Sequence, residues 1–413
     1  MPRLVRTIAL LAALLPLTGC VTEERGPSSS TGERRPATLP EGYTLSGPIA
    51  RPALTATRVN ASVRAVIEPL GQVPYDGLVL PLVSPDGRLL ATQTGSPPTW
   101  GTTLATPDAG PALRTRIEVY DISAAPPRRV ALPTPIEAGV LLGRAANDRG
   151  FLVEEPRPDG SRRVGLCAWQ TGIIDWLADE PGVIFTGATV TDDDELIATR
   201  RTVGEPDGAL WSSRLGVLAR DEGAVYAFPM LTGEPGACAA IELARDRGAT
   251  LTWWTYRSGQ PILRTRRRLT GDDAMITAYQ STDPLRGIAP RADTPTPGVL
   301  VFSPGAGRVV MFDHERADLV PLADRSFGGA WAPDEGGWAV LLSTPDGLVH
   351  QRLVSRQRVW EALPGADVLA DPYIPRVTRN PDRPFVLIGP APDDATRRLS
   401  IVGLDLLFGD ERR

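Results

Sequence analysis

A Pro-Asp-Gly turn between two short apolar segments returns along most of this chain, and its spacing limits the folds open to it. The clearest copy is Leu82-Val83-Ser84-Pro85-Asp86-Gly87-Arg88-Leu89-Leu90-Ala91. Proline presets φ, aspartate caps the turn and glycine accepts a positive φ, so the segment predicts a β-hairpin. Comparable turns stand at Asn147-Asp148-Arg149-Gly150, Asp192-Asp193-Asp194, Arg245-Asp246-Arg247-Gly248, Pro333-Asp334-Glu335-Gly336 and Pro381-Asp382-Arg383, with a copy lacking the aspartate at Thr296-Pro297-Gly298. From Asp86 through Asp148, Asp193, Asp246, Pro297 and Asp334 to Asp382 the intervals are 62, 45, 53, 51, 37 and 48 residues. Their mean is about 49, close to the roughly 40 to 50 residues of a four-stranded propeller blade.

A second ladder runs in step with the first. Pro158-Asp159-Gly160, Pro206-Asp207-Gly208, Pro345-Asp346-Gly347 and Pro392-Asp393-Asp394 follow the corresponding aspartate by 11, 14, 12 and 11 residues, the length of one strand and one turn. Gln170-Thr171-Gly172 and Ser258-Gly259-Gln260 supply a third turn. With 41 Gly and 41 Pro in 413 residues and no capped helical periodicity in the body, the reading is all-β. Apolar residues make up 42% of the chain, enough for a sizeable core.

The expected fold is a β-propeller of seven four-stranded blades, with six or eight as the neighbouring counts. Approximate blades are 77–132, 138–180, 183–230, 236–283, 285–322, 326–363 and 367–407. The last lacks a strand, and the alternating segment Ala61-Ser62-Val63-Arg64-Ala65-Val66-Ile67 is expected to complete it beside Leu399 to Leu404. Closing the ring with a strand from the other end of the chain removes an exposed sheet edge.

The Ser84-Pro85-Asp86-Gly87-Arg88 unit and its repeats resemble the TolB-like or PD40 class of WD40-related β-propellers. The resemblance spans most of the chain beyond about residue 60, and the first copy lies nearest to the family pattern. It implies a non-catalytic protein that binds other proteins of the bacterial envelope, and it carries over no catalytic residues.

The amino terminus reads as an export signal. Arg3 and Arg6 precede the apolar run Ile8 to Leu15, and Leu17-Thr18-Gly19-Cys20 follows. The apolar run is too short to span a bilayer, which takes about 20 residues. The tetrad resembles the bacterial lipobox, which implies a signal peptide over 1–19, acylation of Cys20 with chains such as palmitate, and membrane attachment through that residue. Residues 20–46 are polar, with Ser28-Ser29-Ser30 and several Pro, and are expected to tether a propeller domain spanning 47–413. Val21 in place of aspartate points to the outer membrane facing the periplasm in a diderm, and otherwise the expected place is the outer face of the cell membrane.

Charge argues against a nucleic-acid surface. All 44 basic residues are arginine, the formal net charge is −5, and Arg266-Arg267-Arg268 reads as a solvated strand end. No cofactor fingerprint and no metal site are expected. Asp192-Asp193-Asp194-Glu195 reads as a solvated turn before a Ca²⁺ loop, and Asp313-His314-Glu315-Arg316 as a polar turn before a catalytic group. Only two histidines are present, and there is no Gly-x-Ser-x-Gly elbow. Cys167 and Cys238, 71 residues apart, leave open a disulfide or two separate buried thiols.

Nine tryptophans remain, and in propellers they most often pack between blades. Trp253 and Trp254 are adjacent on an expected strand and face opposite ways, either between blades or with one stacked on a ligand. The longest inserted loop, Gly95 to Arg114, carries Trp100, which is expected to anchor a protein partner at one mouth of the ring. The function read from these features is a lipid-anchored interaction platform for an envelope partner. The alternative is an exported propeller enzyme or glycan-binding protein acting on a carbohydrate or lactone.

Overall fold

The computed structural model describes residues 64–75, 81–95, 115–232, 234–244, 248–256 and 259–269, and eleven strand segments between 286 and 407. Two compact units, Met1–Pro36 and Ala37–Arg413, divide the chain, and every described residue belongs to the second. The described elements are all strands. Blade 1 pairs β2 (Leu82–Val83), β3 (Leu89–Thr94), β4 (Arg116–Asp121) and β5 (Arg128–Arg129), after an amino-terminal β1 (Arg64–Pro74). Blade 2 holds β6 (Leu141–Ala146), β7 (Gly150–Pro156), β8 (Arg162–Ala168) and β9 (Ile174–Ala178). Blade 3 holds β10 (Val183–Val190), β11 (Leu196–Thr202), β12 (Ala209–Ser212) and β13 (Gly216–Ala219). Blade 4 holds β14 (Ala224–Leu231), β15 (Ala237–Ala244), β16 (Gly248–Thr255) and β17 (Ile262–Arg268).

Blade 5 follows with β18 (Arg286–Ile288), β19 (Val299–Ser303), β20 (Arg308–Asp313) and β21 (Asp318–Ala323), and blade 6 with β22 (Gly328–Asp334), β23 (Gly337–Thr344), β24 (Gly347–Val354) and β25 (Gln357–Ala362). The last group, blade 7, comprises β26 (Tyr373–Val377), β27 (Phe385–Pro390), β28 (Arg398–Leu407) and the early β1, in the order β1-β28-β27-β26. Each blade is antiparallel, and a single parallel bridge between Ile184 and Arg162 joins blades 2 and 3. First strands touch from blade to blade, β2 with β6, β6 with β10, β10 with β14, β14 with β18, β22 with β26 and β26 with β2, and between blades 5 and 6 the first strand β22 meets the second strand β19. Such a closed ring of four-stranded sheets is a β-propeller.

The ring closes as the repeat predicts. β1 pairs antiparallel with β28, placing Ile67 opposite Leu404 and Val73 opposite Leu399. The sequence misplaces one boundary. β14, read as the end of a blade spanning 183–230, is the first strand of the next blade; Arg245-Asp246-Arg247 lies outside the described residues, and the strands on either side of it, β15 and β16, are the second and third of that blade. The true first turn of blade 4 is the Glu234-Pro235-Gly236 segment, whose chemistry differs from Pro-Asp-Gly.

The founding turn shows why this sequence folds locally. Asp86 Oδ1 accepts from Ser84 Oγ at 2.5 Å and from the Arg88 amide at 3.1 Å, and Ser84 Oγ accepts from the Leu89 amide at 2.9 Å. Gly87 sits at φ 70°, and a Cβ there would stand 2.8 Å from Thr378 Cγ2, so both backbone and neighbour require glycine. Asn147 repeats the device, accepting from the Arg149 and Gly150 amides at 3.0 Å each.

The core lies between blades. Leu82, Ile117 and Val119 of blade 1 pack with Leu142, Phe151 and Trp169 of blade 2, and Phe185 and Leu196 of blade 3 pack with Leu152, Val164 and Leu166 of blade 2. Tryptophans on or just after the third strand meet an aromatic ring of the same blade: Trp169 with Phe151 at 4.8 Å, Trp211 with Phe185 at 5.0 Å and Trp254 with Tyr226 at 6.0 Å between centroids.

Candidate functional site

Strand direction divides the ring into two ends. The turns joining first to second and third to fourth strands share one end, and the second-to-third turns and blade-to-blade connections share the other. Contacts carry one orientation from blade to blade. Gly87 abuts Thr378 in the first turns of blades 1 and 7, and Asn147 Nδ2 donates to Thr191 O at 2.9 Å in those of blades 2 and 3. At the opposite end Thr115 Oγ1 donates to Val140 O at 3.1 Å between blades 1 and 2.

The two ends differ in chemistry. Six of the seven large apolar side chains exposed among the described residues stand at the first-turn end: Val66, Ile173, Leu215, Val217, Ile262 and Leu263. The chain also enters β1 there, because Arg64 pairs with Leu407 at the end of β28. The second-turn end carries a belt of ion pairs instead. Arg162 Nη1 meets Glu154 Oε2 at 2.8 Å, Arg157 meets Asp179 at 2.6 Å, and Arg163 meets Glu155 at 2.5 Å and Asp179 at 3.3 Å. Arg200 meets Glu180 at 2.5 Å, and Arg266 reaches both oxygens of Glu242 at 2.5 Å. The Arg163 guanidinium also lies 3.7 Å from the Trp176 ring centroid.

A groove of about 340 Å³ opens in blade 1 between β4 and the segment that follows β5. Its apolar wall includes Val130, Leu132 and Ile136. Its polar wall is one carboxylate shared by three donors: Glu118 Oε1 faces Arg116 Nε at 3.0 Å and Arg129 Nε at 3.3 Å, and Oε2 accepts from the Tyr120 hydroxyl at 2.5 Å. Burial, then this hydrogen bond and the charge of Glu118, push the Tyr120 phenol well above its ordinary range.

The residues singled out by sequence fall in different places. Trp253, 2% exposed, packs with Met230, Ile241, Leu251 and Leu269, and half-buried Trp254 packs on the other face against Ile197, Leu210 and Cys238 of the seam with blade 3. Trp100, Cys20 and His314 lie outside the described residues. Asp194, at φ 61°, takes hydrogen bonds from Asn147 Nδ2 at 2.7 Å and from Arg149. Glu195 accepts from Ser212 Oγ. Among the described residues no group of three His, Cys, Asp or Glu could hold a metal ion. Cys167 and Cys238 are separate buried thiols. Sequence reasoning did not foresee the belt or the Glu118 cluster, since a charge near a strand end looks solvated until its neighbour strand is known.

No family model matches the chain, and no curated protein matches it in sequence. Among solved structures it is similar to the periplasmic gluconolactonase PpgL of Pseudomonas aeruginosa, with 12% identity, TM-score 0.41, and 68% of this chain and 85% of that one covered. It is also similar to apo AztD of Citrobacter koseri, with 11% identity, TM-score 0.46, and 86% and 100% covered. A puromycin-hydrolysing peptidase of Mycobacterium tuberculosis gives 15% identity, TM-score 0.40, and 91% and 55% covered. These similarities are of fold, and the propeller assignment rests on the strand order and ring contacts of the chain itself.

Proposed function

We propose that the chain is an exported, lipid-anchored β-propeller of the TolB-like class, acting as a non-catalytic binding platform at the cell envelope. The anchor is Cys20, supported by Leu17-Thr18-Gly19-Cys20 behind a basic and then apolar leader. In a diderm the anchor sits in the outer membrane with the ring in the periplasm, and otherwise it holds the ring at the outer face of the cell membrane.

One observation carries the non-catalytic reading: the recessed carboxylates are already committed. The three buried acidic side chains among the described residues are Glu154, Glu195 and Glu242. They are held by Arg162, Ser212 and Arg266 in turn, and Glu118 is shared by Arg116, Arg129 and Tyr120. A carboxylate whose oxygens are held by a guanidinium or hydroxyl fixes local geometry and is occupied by protein donors. The polarity of the ring supports an orientation, with the apolar fringe and chain entry toward the membrane and the ionic belt toward a partner.

Metabolic labelling with palmitate tests the anchor. Wild-type chain is expected to take up label and sediment with membranes, and Cys20→Ser to lose the label and become soluble. A Cys20→Ser protein that stays on membranes defeats the anchoring, and turnover of a lactone or glycan by purified chain defeats the non-catalytic reading.

A further inference from the structure

The belt contains one cation too many at the seam of blades 2 and 3. Ile184 on β10 is flanked on both sides by arginine in the strand ladders: Arg201 of β11 opposite it, and Arg162 of β8 across the parallel bridge. Arg162 is 8% exposed, and its charge is met by Glu154. The neighbouring guanidiniums are also matched, Arg157 and Arg163 by Asp179 and Glu155, and Arg200 by Glu180. Arg201 is half-buried, and its side chain makes no hydrogen bond or ion pair among the described residues. Burial first, and then the charge of Arg162, pull its pKa below the usual arginine value.

An arginine still holds its proton at neutral pH, so it cannot relieve this by becoming neutral. Recessing a cation without a partner is unfavourable, and an anion is the group that repays the desolvation. We propose that Arg201, with Arg162 beside it, forms an oxyanion-binding site at the second-turn end of the blade 2 and blade 3 seam. Its ligand is a carboxylate or phosphate group, which the planar guanidinium fork holds through two parallel hydrogen bonds. The site stands whether or not Cys20 is acylated.

Isothermal titration of the full chain with sodium phosphate and with sodium citrate, at ionic strength matched by sodium chloride, tests the assignment. Saturable binding of at least one of them is expected. Arg201→Gln should raise the dissociation constant at least tenfold, and Arg201→Lys, which keeps the charge and loses the fork, should weaken binding less. Arg200→Gln, whose partner is Glu180, should leave it within twofold. Because Arg201 has no partner to lose, Arg201→Gln should melt no lower than wild type in chloride, which separates ligand binding from a structural role. Binding of phosphate alone assigns the phosphate class, and binding of citrate alone the carboxylate class. No binding above chloride, or equal binding by wild type and Arg201→Gln, overturns the site.

Discussion

Burial dominates the chemistry of the two ring cysteines, joined at Cys238 by the charge of Glu195. Cys167 lies in the blade 1 and blade 2 seam and Cys238 in the blade 3 and blade 4 seam, so no bridge forms between them. Desolvation pushes the Cys167 thiol from 9.0 up to about 12, and pushes Cys238 higher. The sign follows directly. The unfolded chain loses this proton near pH 9 while the fold retains it, so the contribution is whole below pH 9, declines above it and is gone by about pH 12. At 1.36 kcal/mol per unit it amounts to at most about 4 kcal/mol. Urea midpoints are therefore expected to fall between pH 8.5 and pH 10.5, and to fall less steeply in Cys167→Ala. Tyr226 and Tyr256, both raised by burial, retain part of the slope.

At the scale of the element, the closing strand is more than an edge cover. Leu70 of β1 is fully buried and packs with Val83 and Leu90 of blade 1 and with Val386 and Ile401 of blade 7, so β1 fastens the ends of the ring through side chains as well as the β28 ladder. Leu70→Ala is expected to cost about 2–5 kcal/mol by urea denaturation, and Val66→Ala, at an exposed position on the same strand, less than about 0.5 kcal/mol. The blade 4 turn shows how far element reading by sequence extends. Pro-Asp-Gly turns are legible because their geometry is set by three adjacent residues. Glu234-Pro235-Gly236 serves the same role without the aspartate, so the nearby Asp246 takes its place in the count and the boundary moves by one strand.

Over the whole molecule the two ends of the ring differ in chemistry, one fringed by exposed apolar side chains and the other by ion pairs. If the apolar fringe faces the membrane, hydrogen exchange of the anchored chain on vesicles should slow at the 171–173 and 213–215 turns and stay unchanged at 157–161. Ile173→Asp, Leu215→Asp and Ile262→Asp together should abolish the slowing, and protection at 157–161 instead would reverse the orientation. By itself the sequence determined the repeat, the all-β class and the strand that closes the ring, because turn stereochemistry and strand alternation are local and recur with a period. It also carried the export and lipobox pattern, which a linear segment holds whole. Tertiary structure decided the chemistry. Arg200 and Arg201 are indistinguishable neighbours in the chain, yet alternation on β11 turns them to opposite faces, one onto Glu180 and the other beside Arg162 without a carboxylate. Which charge is paired depends on the strand packed next to it, and only the assembled ring brings that strand there.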